Sequence, residues 1–275
     1  MPSFAVSISI LGLVQAALVA LPARRPRPGW IERLSSPWWA LVPALSIAVV
    51  IGAIEISPGS ADALTYIALV AVPPLAAFAL AALVRGSRPA WALAAVALFA
   101  LAWATPHSLA GEATATALSG LACVTLGWLL VCGVPAGWLR LGVYAMAVID
   151  TVYVSSDLLQ GPNAVLNAAA PAAGLPRLQA VHFGSALMGF GDLFVAALVG
   201  CLFAAEGLGA GAADRVAADR RQLFAAGLVA MLALLFDLLF FAVDELPSTV
   251  PVAVALALMQ LGRRGAGLRR VAPTR

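Results

Sequence analysis

The sequence predicts an all-α membrane protein, a polytopic helical bundle of about nine transmembrane helices, and three observations predict it. Charged residues make up 11% of the chain, where a soluble domain carries roughly 25%. Apolar residues make up 63%, at a mean hydropathy of +0.99, and they come in runs of about 20 between short polar breaks, the length a helix needs to cross hydrocarbon. The basic residues, finally, fall almost entirely on one side of the topology that those runs define. Within a bilayer only a helix or a closed barrel satisfies its own backbone. Barrel strands alternate apolar and polar over about 10 residues, and these runs do not alternate.

The spans read as 3–22, 38–56, 63–85, 90–106, 115–135, 138–159, 181–204, 221–242 and 249–263. The first has no positive charge before it and arginines after it, the reverse of a cleavable signal peptide, so it is expected as a first span with its N-terminus outside. All 16 basic residues are arginine. Arg24, Arg25, Arg27 and Arg33 follow span one, Arg85 and Arg88 span three, and Arg215, Arg220 and Arg221 span seven. Arg140 opens span six, and Arg263, Arg264, Arg269, Arg270 and Arg275 follow span nine, leaving Arg177 alone on the other side. The positive-inside rule makes the arginine side cytoplasmic, and Trp38, Trp39, Trp91 and Trp138 near span ends suit interface anchors. Pro73 and Pro74 should kink span three. Short loops leave one integral membrane domain over 1–275: spans within 1–135 as scaffold, 136–263 carrying the chemistry, and 264–275 as a basic cytoplasmic tail. The apolar, proline-broken 160–180 connection lies on the membrane, re-enters it, or is a floppy linker. The Gly/Ala-rich 205–220 loop reads as a flexible cytoplasmic hinge.

Several function classes drop out. The net charge of +3 comes from arginines beside hydrophobic runs, where they serve topology, so nucleic acid is not the partner; the lipid bilayer is. Cys123, Cys132 and Cys201 lie inside apolar runs, with no CxxC and no Cys/His cluster, so they read as small buried apolar side chains rather than metal ligands or disulfides. No cofactor is implied. HExxH and GxSxG are absent, and His107 and His182 sit near outer span ends as interfacial polar residues. Abundant Ala and Arg without lysine suggest a GC-rich bacterial genome, and hence a bacterial cell membrane.

Most acids lie in loops or near span ends, and Asp150 and Asp192 are the clear exceptions. A carboxylate in hydrocarbon is costly, which makes an intramembrane acid a functional candidate. Asp150 lies about 12 residues into span six and Asp192 about 11 into the antiparallel span seven, so both come to a depth of roughly 17 Å. Two facing carboxyls cannot both ionise cheaply, and so share a proton. One can then act as general base on a water while the other donates to the carbonyl under attack. Asp237 in span eight, with Asp244 and Glu245 beyond it, is expected to hydrogen-bond locally. Three membrane acids would also suit a proton or cation pathway in a transporter.

Gly189 and Gly191, in the run Gly189-Phe190-Gly191-Asp192, remove side chains beside the acid. They permit close backbone approach, either of an extended substrate strand or of a neighbouring helix. The chain here resembles the GxGD intramembrane aspartyl proteases, the presenilins and signal peptide peptidases. Members of that family carry one Asp in the sixth of nine spans, typically after Tyr, a GxGD motif in the seventh, and a Pro-Ala-Leu motif opening the ninth. Here the corresponding residues are Ile149-Asp150, Gly189-Phe190-Gly191-Asp192 and Pro251-Val252-Ala253, with Ile149 in place of Tyr, only the proline of the third motif kept, and Pro247 a rival for that role.

The resemblance implies a presenilin-like arrangement, with Asp150 and Asp192 catalytic and Gly189, Phe190, Gly191, Pro251, Val252 and Ala253 lining the substrate. It implies cleavage of transmembrane helices or signal peptides without a metal. The N-outside, C-inside orientation looks like that of signal peptide peptidases. Prepilin peptidases share GxGD but commonly place a lysine after it, and this chain has none; their first acid tends to lie near the cytoplasmic face, whereas Asp150 reads as deep, and Asp157, a second acid on their pattern, falls near the outer end of span six. A proton-coupled transporter and a non-catalytic scaffold are the alternatives from other classes.

Overall fold

The computed structural model describes residues 2–32, 35–42, 45, 49, 52–53, 56–57, 59–156, 165, 168–169, 171–172, 174–206, 208, 211–241 and 246–271. Eight helices of more than two turns appear among them: α1 (Phe4–Ala20), α2 (Gly59–Phe78), α3 (Ala92–Ala104), α4 (Leu109–Gly133), α5 (Ala136–Ser155), α6 (Phe190–Glu206), α7 (Ala212–Asp237) and α8 (Val250–Val271). Three stretches are long and apolar enough to cross a membrane: Gly59–Leu83, Leu109–Gly133 and Ala213–Phe240. Phe4–Ala20, Pro89–Ala104 and Val250–Arg263 are shorter apolar helices. The expected second span falls mostly outside the described residues.

The bundle is built around α4, which packs on α2, α3 and α6. Glycine sets how closely its helices approach. A Cβ at Gly127 of α4 would stand 3.1 Å from the Leu198 backbone of α6, and one at Gly200 of α6 would stand 2.6 Å from the Leu18 carbonyl of α1. Such small residues are what lets helices pack without a hydrophobic drive between them. Ser108 caps α4 by accepting the Gly111 N–H at 3.1 Å, the usual use of serine at a helix start. Pro73 and Pro74 lie inside α2, which ends in a π-helical turn at Ala79–Leu83; the Thr125 hydroxyl of α4 donates to the Leu75 carbonyl at 2.7 Å. Outside, α2 and α3 present large apolar side chains, with Val70 77% and Leu93 73% exposed.

The arginine-rich segments gather at one end. Arg24 and Arg85 both pair with Asp219 of α7, at 3.0 and 2.9 Å. The buried Gln222 amide donates to the Val19 and Pro22 carbonyls at 2.9 and 3.0 Å, main-chain acceptors that the end of α1 leaves unmet. Glu206, closing α6, takes Arg140 of α5 at 2.8 Å and Arg263 of α8 at 2.6 Å.

The largest departure from expectation is at the seventh span. Residues 181–204 read as one helix, but β1 (Ala180–Phe183) and β2 (Ala186–Gly189) form an antiparallel hairpin, and helix begins only at Phe190. Its two-residue turn has Gly184 at φ +62, the left-handed conformation that such turns demand. The turn is pinned from two helices: Glu112 accepts the Gly184 N–H at 2.7 Å, and Ser7 accepts the Ser185 N–H at 3.3 Å. Helix α4 covers the outer edge of β1, with Thr116 donating to the His182 carbonyl and Ser119 to the Leu178 carbonyl.

Other boundaries shift less. Helix α7 starts at Ala212, so much of the expected 205–220 hinge is helical, and α8 carries on through residues 264–271 of the expected tail. The described part of the 160–180 connection packs on the bundle, with Leu178 buried and the Ala172 N–H donating to the Tyr66 hydroxyl at 3.2 Å.

Candidate active site

Asp192 is the third residue of α6, not the middle of a long helix. Gly189 is the last residue of β2 and stands at the helix cap, and Asp192 Oδ2 accepts the Gly189 N–H at 3.0 Å. This is one half of a capping box, an acid at the third position reaching back to the cap's own N–H, where the helix dipole also favours it. A Cβ at Gly189 would stand 3.2 Å from Asp192 Oδ2, whereas one at Gly191 would meet nothing within 4 Å. Gly189 therefore makes room for the carboxyl itself, and Gly191 leaves open space beside it. Phe190 between them is partly buried and packs on the core.

Asp150 projects from α5. Its Oδ2 accepts the Thr249 hydroxyl at 2.6 Å and the Thr249 N–H at 3.4 Å. Thr249 immediately precedes α8 and is 3% exposed. No hydrogen bond joins the two carboxyls directly among the described residues; each has its own donor. A third element joins them. Gln15 of α1, 1% exposed, donates to the Ser248 carbonyl at 3.1 Å and to the Asp192 carbonyl at 3.4 Å. One polar chain thus runs from Asp150 through Thr249, Ser248 and Gln15 to the main chain of Asp192.

The residues expected along the substrate divide. Gly189, Phe190 and Gly191 adjoin Asp192. Pro251, Val252 and Ala253 form the first turn of α8, with Val252 and Ala253 buried in the core, and the contacts to Asp150 come from Thr249, just before that turn. Pro247 accepts the Val250 N–H at 3.1 Å and shapes the approach to α8. Gln15, Ser248 and Thr249 were not singled out in the sequence. Gln15 carried a usable signal, an amide in an apolar span that has to find partners once buried; one threonine beside a span carries none.

Asp237 closes α7 and accepts the Ser9 hydroxyl at 3.3 Å. Asp157, Asp244 and Glu245 lie outside the described residues. Cys123, Cys132 and Cys201 are all buried thiols. His182 sits on β1 and His107 in the turn before α4; neither is bonded to the two acids. Chemically, the arrangement offers two carboxyls tied into one hydrogen-bonded frame, each held by its own donor, with open space at Gly191 and a strand end beside Asp192. Compared with protein-family models, curated proteins and solved structures, the chain matches none.

Proposed function

We propose that this protein is an intramembrane aspartyl endopeptidase that hydrolyses transmembrane segments or signal peptides. The observation that carries the reading is the joining of Asp150 and Asp192, from different helices, through Thr249, Ser248 and Gln15. A carboxyl among apolar helices costs stability. Two of them, fixed together by a buried polar chain, are a costly arrangement that chemistry on a shared water accounts for. One carboxylate takes a proton of that water as it attacks the peptide carbonyl, while the other, protonated, gives its proton to the carbonyl oxygen; as the C–N bond breaks, the first acid passes the water's proton to the leaving nitrogen and the second takes its own back from the intermediate's hydroxyl.

Strand β2 supports the same reading. Its pairing with β1 about a two-residue turn leaves the main chain of Leu187 and Gly189 facing the edge away from β1, by the alternation of an antiparallel ladder; the Gly189 N–H, turned to Asp192, fits that alternation. An unwound substrate can add there as a further strand, its backbone running past the open space at Gly191. The outward apolar faces of α2 and α3 support a bilayer setting; nine spans in a presenilin-like arrangement, N-terminus outside and C-terminus in the cytoplasm of a bacterial cell, belong to the same proposal.

The test is purified protein in liposomes with a transmembrane peptide labelled at both ends. Wild-type protein cleaves it. Asp150→Ala and Asp192→Ala each lose activity by about 10³-fold or more, the scale of a lost proton-transfer group. Cleavage surviving in either variant overturns the mechanism. A cut mapped to the membrane face rather than its interior would favour a prepilin-peptidase-like processor, and proton flux without any cleavage would favour a transporter.

A further inference from the structure

Next to the segments that hold the acids lies a small, partly open pocket, lined by Gly12 and Gln15 of α1, Met188 of β2, Asp237 of α7, and Ser248 and Pro251 at the start of α8. Three of these belong to the frame of the candidate active site. Gln15 holds the Asp192 main chain, Met188 precedes Gly189, and Ser248 precedes Thr249. A chain seated along β2 turns alternate side chains to opposite faces, so one of them reaches the side on which Met188 is buried.

Asp237 is the feature that a plain apolar pocket would lack. Its only hydrogen bond among the described residues is the long one from Ser9 to Oδ2, and Oδ1 has no partner among them. Gly12 keeps this side of α1 low. A Cβ there would press to 3.0 Å from the Ala233 side chain and 4.0 Å from Asp237 Oδ2. The carboxyl thus lies in a mostly apolar wall, apart from the pair that acts on water, with an acceptor still to be filled.

We propose that this cavity is a specificity pocket in which Asp237 receives a hydrogen-bond-donating side chain of the substrate, a serine or threonine hydroxyl or a lysine ammonium. The proposal rests on the endopeptidase reading and adds a substrate preference to it. The substrate's donor satisfies Asp237, and an apolar residue at the same position leaves the carboxyl without a partner. A site built on a hydrogen bond discriminates more sharply than one built on apolar fit, which yields only about 10- to 200-fold per methylene.

The experiment uses the full chain in liposomes and transmembrane peptides that differ at one position, Leu, Ser or Lys, stepped along either side of the cut. Wild-type protein should show one position at which Ser or Lys raises kcat/KM over Leu by about 10-fold or more. Asp237→Leu should still cut the all-leucine peptide and lose the preference. Asp237→Asn, close in shape and still an acceptor, should keep a preference for Ser and lose one for Lys, which separates a hydroxyl donor from an ammonium. A flat wild-type profile, or a preference that persists in Asp237→Leu, overturns the pocket and leaves the endopeptidase standing. Failure of the wild-type protein to cut any peptide overturns both.

Discussion

The two ends of this bundle are held in different ways. At the arginine end, charges and amides act redundantly. Asp219 holds two arginines from two segments, Glu206 holds two more from two helices, and Gln222 reaches two carbonyls around the end of α1. Around the acids, among the described residues, each tie rests on a single residue. One threonine holds Asp150, one glycine N–H holds Asp192, and one glutamine joins the segments. A helix bundle clamped at one end can leave the other loose enough to receive a chain between its helices. Local stability varies across proteins in this manner, and sites that must open are drawn from its lower range.

That contrast can be broken in order of effect. The largest change comes from the acids themselves, where Asp150→Ala or Asp192→Ala should abolish cleavage and leave thermal unfolding in detergent near that of the wild type. Next is Gly184→Val. A Cβ there would fall 2.4 Å from Ser7 Oγ and 2.7 Å from the Pro2 ring, and a β-branched residue resists positive φ. The hairpin should be lost, with a destabilisation of about 2 kcal/mol or more, read from the unfolding midpoint and from faster amide exchange over 180–189. Gln15→Leu removes a positioning residue without creating a void. It should lower kcat by about 10-fold to 100-fold, with KM little changed, because loss of alignment is felt in the chemical step; an equal rise in KM would point to a binding role instead. Thr249→Val deletes the donor to Asp150 at the same shape and should cost about 1–3 kcal/mol, as a charged group losing its hydrogen bond does. It should also move the pH profile of cleavage, and Thr249→Ser should restore it. The smallest effect belongs to the clamped end. Arg263→Gln breaks one of two pairs on Glu206, from a side chain about half exposed, and should shift stability by under about 1 kcal/mol. A drop comparable to that of Gly184→Val would mean that the arginine end is no more redundant than the acid end.

What could be read from the sequence follows from which physical signals are local. A carboxylate in an apolar run is rare because it is costly, so Asp150 and Asp192 stood out before any fold was known. Helices were marked by unbroken apolar stretches, and the bias of arginines marked one end of the bundle. The hairpin before Asp192 was hidden because Val181, Phe183, Ala186 and Met188 are as apolar as a helix would be, and short apolar runs do not tell strand from helix by periodicity alone. With the hairpin went the setting of Asp192, expected deep in a helix and found in its first turn. The parts played by Gln15 and Thr249 depend on contacts made across more than 90 residues of chain, which no local pattern encodes. Pro251, Val252 and Ala253 lie one turn past the residue that touches Asp150, a displacement that a motif anchored on a proline cannot resolve when Pro247 stands nearby.

The bond between Asp192 and the Gly189 N–H has a further consequence. That N–H is one of the donors that β2 offers along its outer edge, so the protein's own carboxyl occupies a position that a docking strand would use. On the endopeptidase reading the two compete, and an arriving substrate backbone turns the carboxyl loose by taking its partner. A cap of this kind is worth about 1 kcal/mol, small enough for one new main-chain bond to replace. The acid would then idle as an interlock, closed over its own helix until the chain it is to cut releases the catch.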